Sequence, residues 1–189
     1  MHSPVRVLLV AATSAELAPP GDWMALCCGV GPVEAAVSTA RAIAELRPDL
    51  LLHVGIAGAR AARRLAPASL VIGSEARYCD LGVPPEWAPH VVQSPAALIA
   101  ALGRALPHVP ALPIGTSARV GGTSACDVEA MEGFAVLRAA QRAGVPAIEV
   151  RAISNDIEEA DRTRWHIAPA CRTITTITPR LVAALRDAR

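Results

Sequence analysis

Three stretches of this chain, Val5–Val10, Leu50–Val54 and Ala147–Ile153, are apolar at nearly every position rather than at every second one. A strand with one wet face alternates, so a run that does not alternate must be covered on both faces. Such strands belong to a largely parallel sheet sandwiched by helices. The segments between them fit that demand. Pro32 suits a helix's first turn, Val33–Leu46 continues that helix, and Arg47-Pro48-Asp49 ends it. Trp23–Cys28, Ser69–Gly73, Pro110–Gly115 and Ser117–Val120 read as further strands, and Ser94–Leu106 as a helix. Ser124-Ala-Cys-Asp127 fits a capping box, which predicts a helix from about Ala125 or Val128 to Ala143, closed by Gly144-Val145-Pro146. Thr163–Arg189 reads as one or two helices broken at Pro169 and Pro179. Alternating strands and helices over 189 residues predict one α/β domain spanning 1–189.

Composition narrows the chemistry. Hydrophobic residues make up 52% but aromatics only 3%, so the core must be built from Ala, Val, Leu and Ile. Net charge is +1, and the 18 cationic residues are all Arg, scattered rather than striped, which argues against nucleic-acid binding. Cys27, Cys28, Cys79, Cys126 and Cys171 match neither a zinc nor a disulfide spacing and read as reduced thiols of a cytoplasmic protein. His2, His90, His108 and His166 show no metal spacing, and His53, inside a core strand, reads as a satisfied core histidine. The first apolar run is too short to cross a membrane and lacks a signal-peptide pattern.

Polar residues collect where strands end. Ala11-Ala-Thr-Ser-Ala-Glu16, Gly29-Val-Gly31, Gly55-Ile-Ala-Gly58 and Ser154-Asn155-Asp156 each follow an apolar run. In parallel sheets ligands bind beyond the carboxyl ends of strands, so these four segments are expected to share one rim. Glu132 joins them. On a helical wheel it falls within roughly 40° of Val136, on the apolar side. A carboxylate there is either paired or functional, or else it serves the helix dipole from the first turn; the wheel does not choose. Glu16 by itself reads as an ordinary helix-start acid, and Arg60, Arg63 and Arg64 as a solvated loop.

Taken in order, "GVGPVEAA", "VGIAGA", "SEARYCDLG", "VEAMEGFAVLRAA" and "VRAISND" resemble the nucleoside phosphorylase and nucleosidase superfamily, and within it the futalosine hydrolases of menaquinone biosynthesis. The resemblance implies a three-layer α/β/α sandwich with a central twisted mixed sheet. It implies cleavage by water of the bond between a purine and its ribose, with no cofactor and no metal. By the same resemblance Met131 and Glu132 hold the ribose, Glu16 activates the water, and Ile56, Ala57, Gly58 and Ser154 line the substrate. A homo-oligomer is implied, with a small purine nucleoside as the partner and neither nucleic acid nor membrane.

Asn155 stands where nucleosidases of 6-aminopurines carry Asp. An amide donates from its NH₂ and accepts at its carbonyl, which suits O6 and a protonated N7 of a 6-oxopurine such as hypoxanthine. Asp156 is one residue on, and a shift of one residue reverses that inference. Val120–Glu129 is short for the superfamily, so Gly121, Gly122 and Thr123 would have to complete the pocket. Two alternatives stand beside hydrolysis of futalosine. One is cleavage by phosphate or of 6-aminopurine nucleosides, with Arg41 or Arg60 as possible phosphate ligands. The other is a nucleoside-binding protein without turnover.

Overall fold

The computed structural model describes residues 4–121 and 125–188. Its elements are β1 (Val7–Ala11), β2 (Met24–Cys27), α1 (Pro32–Leu46), β3 (Leu50–Ala59), β4 (Leu70–Tyr78), β5 (Val91–Gln93), α2 (Ala96–Ala105), β6 (Ala111–Thr116), β7 (Val128–Ala130), α3 (Gly133–Arg142), β8 (Ala147–Asp156) and α4 (Ile167–Arg186). Short 3₁₀ turns at Ser14–Glu16, Ala61–Arg63 and Arg162–Arg164 connect them.

All eight strands join one mixed sheet. The parallel core is β2-β1-β3-β8. β8 then pairs antiparallel with β4, β4 runs parallel to β6, β6 to β7, and β7 returns antiparallel to β3. Five strands therefore form a closed circuit, filled by Ala57, Ala59, Val71, Ile114, Val128, Ala130 and Ile153. The small side chains of this circuit suit a chain poor in aromatics.

The uninterrupted apolar runs are covered on both faces, as their composition requires. In β1, Val7 and Leu9 pack with Leu98, Leu102, Ile174 and Leu181 of α2 and α4. Leu8 and Val10 point the other way, toward Ala35, Ile43, Val136 and Ala140 of α1 and α3. This is the expected three-layer arrangement.

Three sequence expectations need correction. Val128–Ala130 is a strand, not the start of a helix; its side chains are buried inside the circuit, and α3 begins only at Gly133. Ser124 lies outside the described residues, as do Gly122 and Thr123, and Asp127 pairs with Arg63 at 2.6 Å. Ser117–Val120 is not a strand, because the Ser117 hydroxyl and the Ala118 amide donate to the Asp80 carboxylate and bend the chain. The tail forms one continuous α4. Pro169 lies in its first turn, where no intrahelical donor is missed. Pro179 is interior and forfeits one bond. The buried row Ile174, Thr178, Leu181, Val182 and Leu185 holds the helix across it. Among the described residues no helix is long and apolar enough to cross a membrane.

Candidate active site

β3 is longer than its apolar run suggested. Gly55–Gly58 lies within the strand, not after it. β1 covers one edge of β3 only as far as His53, and β7 takes up that edge at Gly58. Between them that edge of β3 has no strand partner among the described residues, while β8 pairs the other edge. Glu16 fills the gap, since the Ile56 amide donates to its Oε1 at 3.0 Å. The other oxygen, Oε2, accepts the Thr13 amide at 3.0 Å and the Thr13 hydroxyl at 2.7 Å. Glu16 is 5% exposed. Its backbone role as a helix-start acid and its side chain's place at the rim are both real: the 3₁₀ turn delivers the carboxylate inward.

A cavity of about 330 Å³ opens beside it, within the size range of small-molecule sites. Glu16, Ile56, Ala57, Gly58, Met131, Glu132, Ser154 and Asn155 all line it. The structure thus brings these eight residues into one cavity. Glu132 gets there from the N-cap of α3 rather than from its first turn. Its Oε1 accepts the Gly31 amide at 3.0 Å. Gly31 has φ +90°, a backbone that side chains rarely adopt, which explains a glycine there. Burial pushes the Glu132 carboxyl up from its usual range, and the Arg151 charge partly offsets this.

The end of β8 fixes the amide of Asn155. Nδ2 donates to the Asp156 carbonyl at 2.8 Å, and the Ser154 hydroxyl donates to Oδ1 at 2.7 Å. A carbonyl can only accept, so the orientation of the amide is specified. One N–H and one lone pair remain. Asp156 does not line this cavity; its carboxylate accepts the Glu158 amide at 3.0 Å and faces a neighbouring cleft. Gly121 lines the cavity with Val120, although Gly122 and Thr123 lie outside the described residues. Arg60 and Arg63 engage Glu158 and Asp127 away from the cavity.

Beneath the site lies a buried charge cluster that the sequence reading missed. Arg151 is fully buried on β8. Its Nε donates to Glu149 at 3.2 Å, Nη1 lies 3.9 Å from Glu132 Oε2, and Nη2 lies 3.1 Å from His53 Nδ1. Burial, then the Arg151 charge, holds His53 well below its usual range, so a neutral imidazole faces the guanidinium. Burial raises the Glu149 carboxyl, with Arg151 opposing. A Cβ on Gly55 would collide with the Arg151 guanidinium and stand 2.9 Å from Glu16 Oε1, so that glycine keeps the two groups close. The signal was present: Glu149 and Arg151 sit two apart in an otherwise apolar strand, hence on one face. Glu129, Val30, Ile157, Trp165, Ile167 and Cys171 also line the cavity and were not nominated.

The raised Glu132 carboxyl yields an expected result. Its charged form is disfavoured by burial, so the folded state binds its proton more tightly than the unfolded state does. This carboxyl's contribution to stability therefore declines as pH rises from about 4.5 through its raised folded value. Glu132→Gln removes that decline. At neutral pH the variant should unfold at the same temperature as the parent or a higher one, while losing activity. A marked fall in melting temperature would show that Glu132 is structural.

The family model described as "Phosphorylase superfamily" matches residues 21–126. Futalosine hydrolase of Streptomyces coelicolor A3(2) is 34% identical, over 89% of this chain and 82% of that protein. Among solved structures, a 5'-methylthioadenosine/S-adenosylhomocysteine nucleosidase from Colwellia psychrerythraea 34H, in complex with adenine, superposes with a TM-score of 0.85 at 17% identity, covering 97% of this chain and 96% of that one. Futalosine hydrolase of Helicobacter pylori 26695 superposes with a TM-score of 0.83 at 16% identity, covering 95% and 97%. These structural likenesses show a shared fold.

Proposed function

We propose that this chain, which belongs to the phosphorylase superfamily, is an N-ribosyl hydrolase that cleaves futalosine to hypoxanthine and dehypoxanthine futalosine in menaquinone biosynthesis. The observation that carries the reading is the cavity itself, with Glu16, Glu132 and Asn155 on three separate elements facing one volume. The 34% identical futalosine hydrolase supports the choice of substrate.

Each group has one task. The bond from ribose C1′ to the purine nitrogen lengthens, positive charge builds on the sugar, and electrons flow to the base. Glu132 accepts from the 2′- and 3′-hydroxyls. Glu16 already accepts three donors, leaving about one of its lone-pair sites for a water that attacks C1′. It takes that water's proton, as the base does in two-carboxylate glycoside hydrolysis. Asn155 uses its remaining N–H for O6 and its remaining lone pair for the N7–H of the leaving base, whose N7 takes its proton from solvent water. Met131, Ile56, Ala57 and Ser154 shape the walls. These steps need no metal or cofactor. The chain acts as a cytoplasmic homo-oligomer in this reading.

Water rather than phosphate is the acceptor for an electrostatic reason. No arginine appears among the described lining residues, whereas Glu16, Glu129 and Glu132 do. A phosphate dianion entering there would meet carboxylates. Hypoxanthine release from futalosine should therefore proceed at the same rate with and without inorganic phosphate, and the dehypoxanthine futalosine formed should carry a free hydroxyl at C1′. A rate proportional to phosphate, with a ribose 1-phosphate product, would refute hydrolysis.

A further inference from the structure

β8 carries two charged side chains through an otherwise apolar run, and neither lines the cavity. Glu149 is 0% and Arg151 1% exposed. The fold is cleared for them. A Cβ on Gly73 would overlap the Glu149 side chain, and one on Gly133, the first residue of α3, would overlap both of its carboxylate oxygens. Glu149 Oε2 accepts from Arg151 Nε, whereas Oε1 has no hydrogen-bond partner among the described residues. A buried ion pair is a poor source of stability, since apolar side chains of similar volume often serve as well or better. An unsatisfied buried acceptor makes this pair costlier still. Stability alone therefore does not explain it.

The explanation lies at the other end of the guanidinium. Arg151 Nη2 stands 3.1 Å and 3.3 Å from the two ring nitrogens of His53. It must lie over the ring face, because in the ring plane Cε1 would block so even an approach. Glu149 at Nε and His53 against Nη2 fix the plane of the guanidinium. Nη1 is then directed toward the Ile56 carbonyl at 3.5 Å and stops 3.9 Å from Glu132 Oε2. That separation keeps the attraction between charges but is too long for a hydrogen bond. Glu132 accepts the Gly31 amide at 3.0 Å, and the Met131 amide also bears on it. Of the about four lone-pair sites of a carboxylate, about two remain. They suffice for the 2′- and 3′-hydroxyls of a ribose, and not for a guanidinium N–H as well.

We propose that Glu149 is a positioning residue: it holds the Arg151 guanidinium back from Glu132, so that the Glu132 carboxylate stays open to the ribose hydroxyls. This rests on the reading of Glu132 as the ribose ligand. A buried charge must be paired. Without the charge of Glu149, Glu132 is the carboxylate left in ion-pair range of Arg151 among the described residues. A shift of about 1 Å would bring Nη1 into a direct hydrogen bond with it and fill a site that the sugar needs.

The test measures binding of two inert nucleosides, 9-deazainosine and its 2′-deoxy form, whose carbon–carbon glycosidic bond water does not cleave. The parent should bind the ribose form at least about tenfold more tightly, the value of a hydrogen bond to a charged group. Glu149→Gln keeps the size of the side chain and an acceptor for Nε but removes the charge. It should cut that preference by about fivefold or more, with the loss falling on the ribose form. A merely structural role would weaken both ligands together and leave the preference unchanged, and that result overturns the proposal. A crystal structure of the parent with 9-deazainosine decides the matter even where Glu149→Gln does not fold. Arg151 bonded to Glu149, with Glu132 bonded to the ribose, is expected; a direct hydrogen bond from Arg151 to Glu132 overturns the proposal. A parent with no preference for the ribose form sinks the reading of Glu132 and the role of Glu149 with it. A parent that shows the preference but cleaves no purine riboside sinks hydrolysis alone, and the preference of the variant still decides Glu149.

Discussion

Glu16→Gln should lower kcat for futalosine hydrolysis by about 10²–10⁴-fold while KM stays within a few-fold. The substitution keeps the size and much of the local bonding. A glutamine carbonyl can still accept the Ile56 amide or the Thr13 donors that now hold Glu16. It cannot take a proton from water at neutral pH. The loss should therefore fall on the chemical step, where proton transfer happens, rather than on binding. Single-turnover kinetics check this by separating cleavage from release. A variant with unchanged kcat would remove Glu16 from the mechanism. The carboxylate would then be a plug for the open edge of β3 between β1 and β7.

Asn155→Asp should lower the kcat/KM ratio of futalosine over its 6-amino analogue by about 10²–10⁴-fold. The reasoning is local. Asn155 Nδ2 donates to the Asp156 carbonyl, and a carboxylate oxygen at that position would face the same carbonyl without a proton between them. The aspartate is favoured only when protonated, and a protonated carboxyl can donate to N7. It offers no NH₂ to O6, but its acceptor oxygen suits an exocyclic amine. Parallel assays on the two nucleosides measure the ratio. A ratio that does not move would mean that another group reads the base.

The parts of this fold written in local sequence were readable, and those created by distant pairing were not. β1, β3 and β8 announced themselves because strands buried on both faces carry Val, Leu, Ile and Ala at most positions rather than at alternate ones. α1 did so through Pro32 and its stop at Arg47, whose φ of +48° ends the helix. β7 was read as helix because its three residues gain their strand character only from β6 and β3, far away in sequence. That misreading hid Glu129. A residue assigned to a helix start gives no hint that it faces Asn155 across Gly58. The closed circuit was equally invisible, since it depends on β4 turning antiparallel to β8. Glu16, Glu132 and Asn155 were nominated by resemblance; the residues alone left Glu132 undecided and read Glu16 as an ordinary helix-start acid. The structure supplies what they lacked, namely a shared cavity and a specified amide orientation. Arg151 is the instructive omission. A full positive charge within a buried strand needs partners, and its partner Glu149 was two residues away.

The most direct measurement is the kcat/KM for hypoxanthine release from futalosine, set beside that for adenine release from the 6-amino analogue, in phosphate-free buffer. The account predicts turnover of futalosine and at least a hundredfold preference for it. Equal rates, or a preference for the 6-amino compound, would contradict the role given to Asn155.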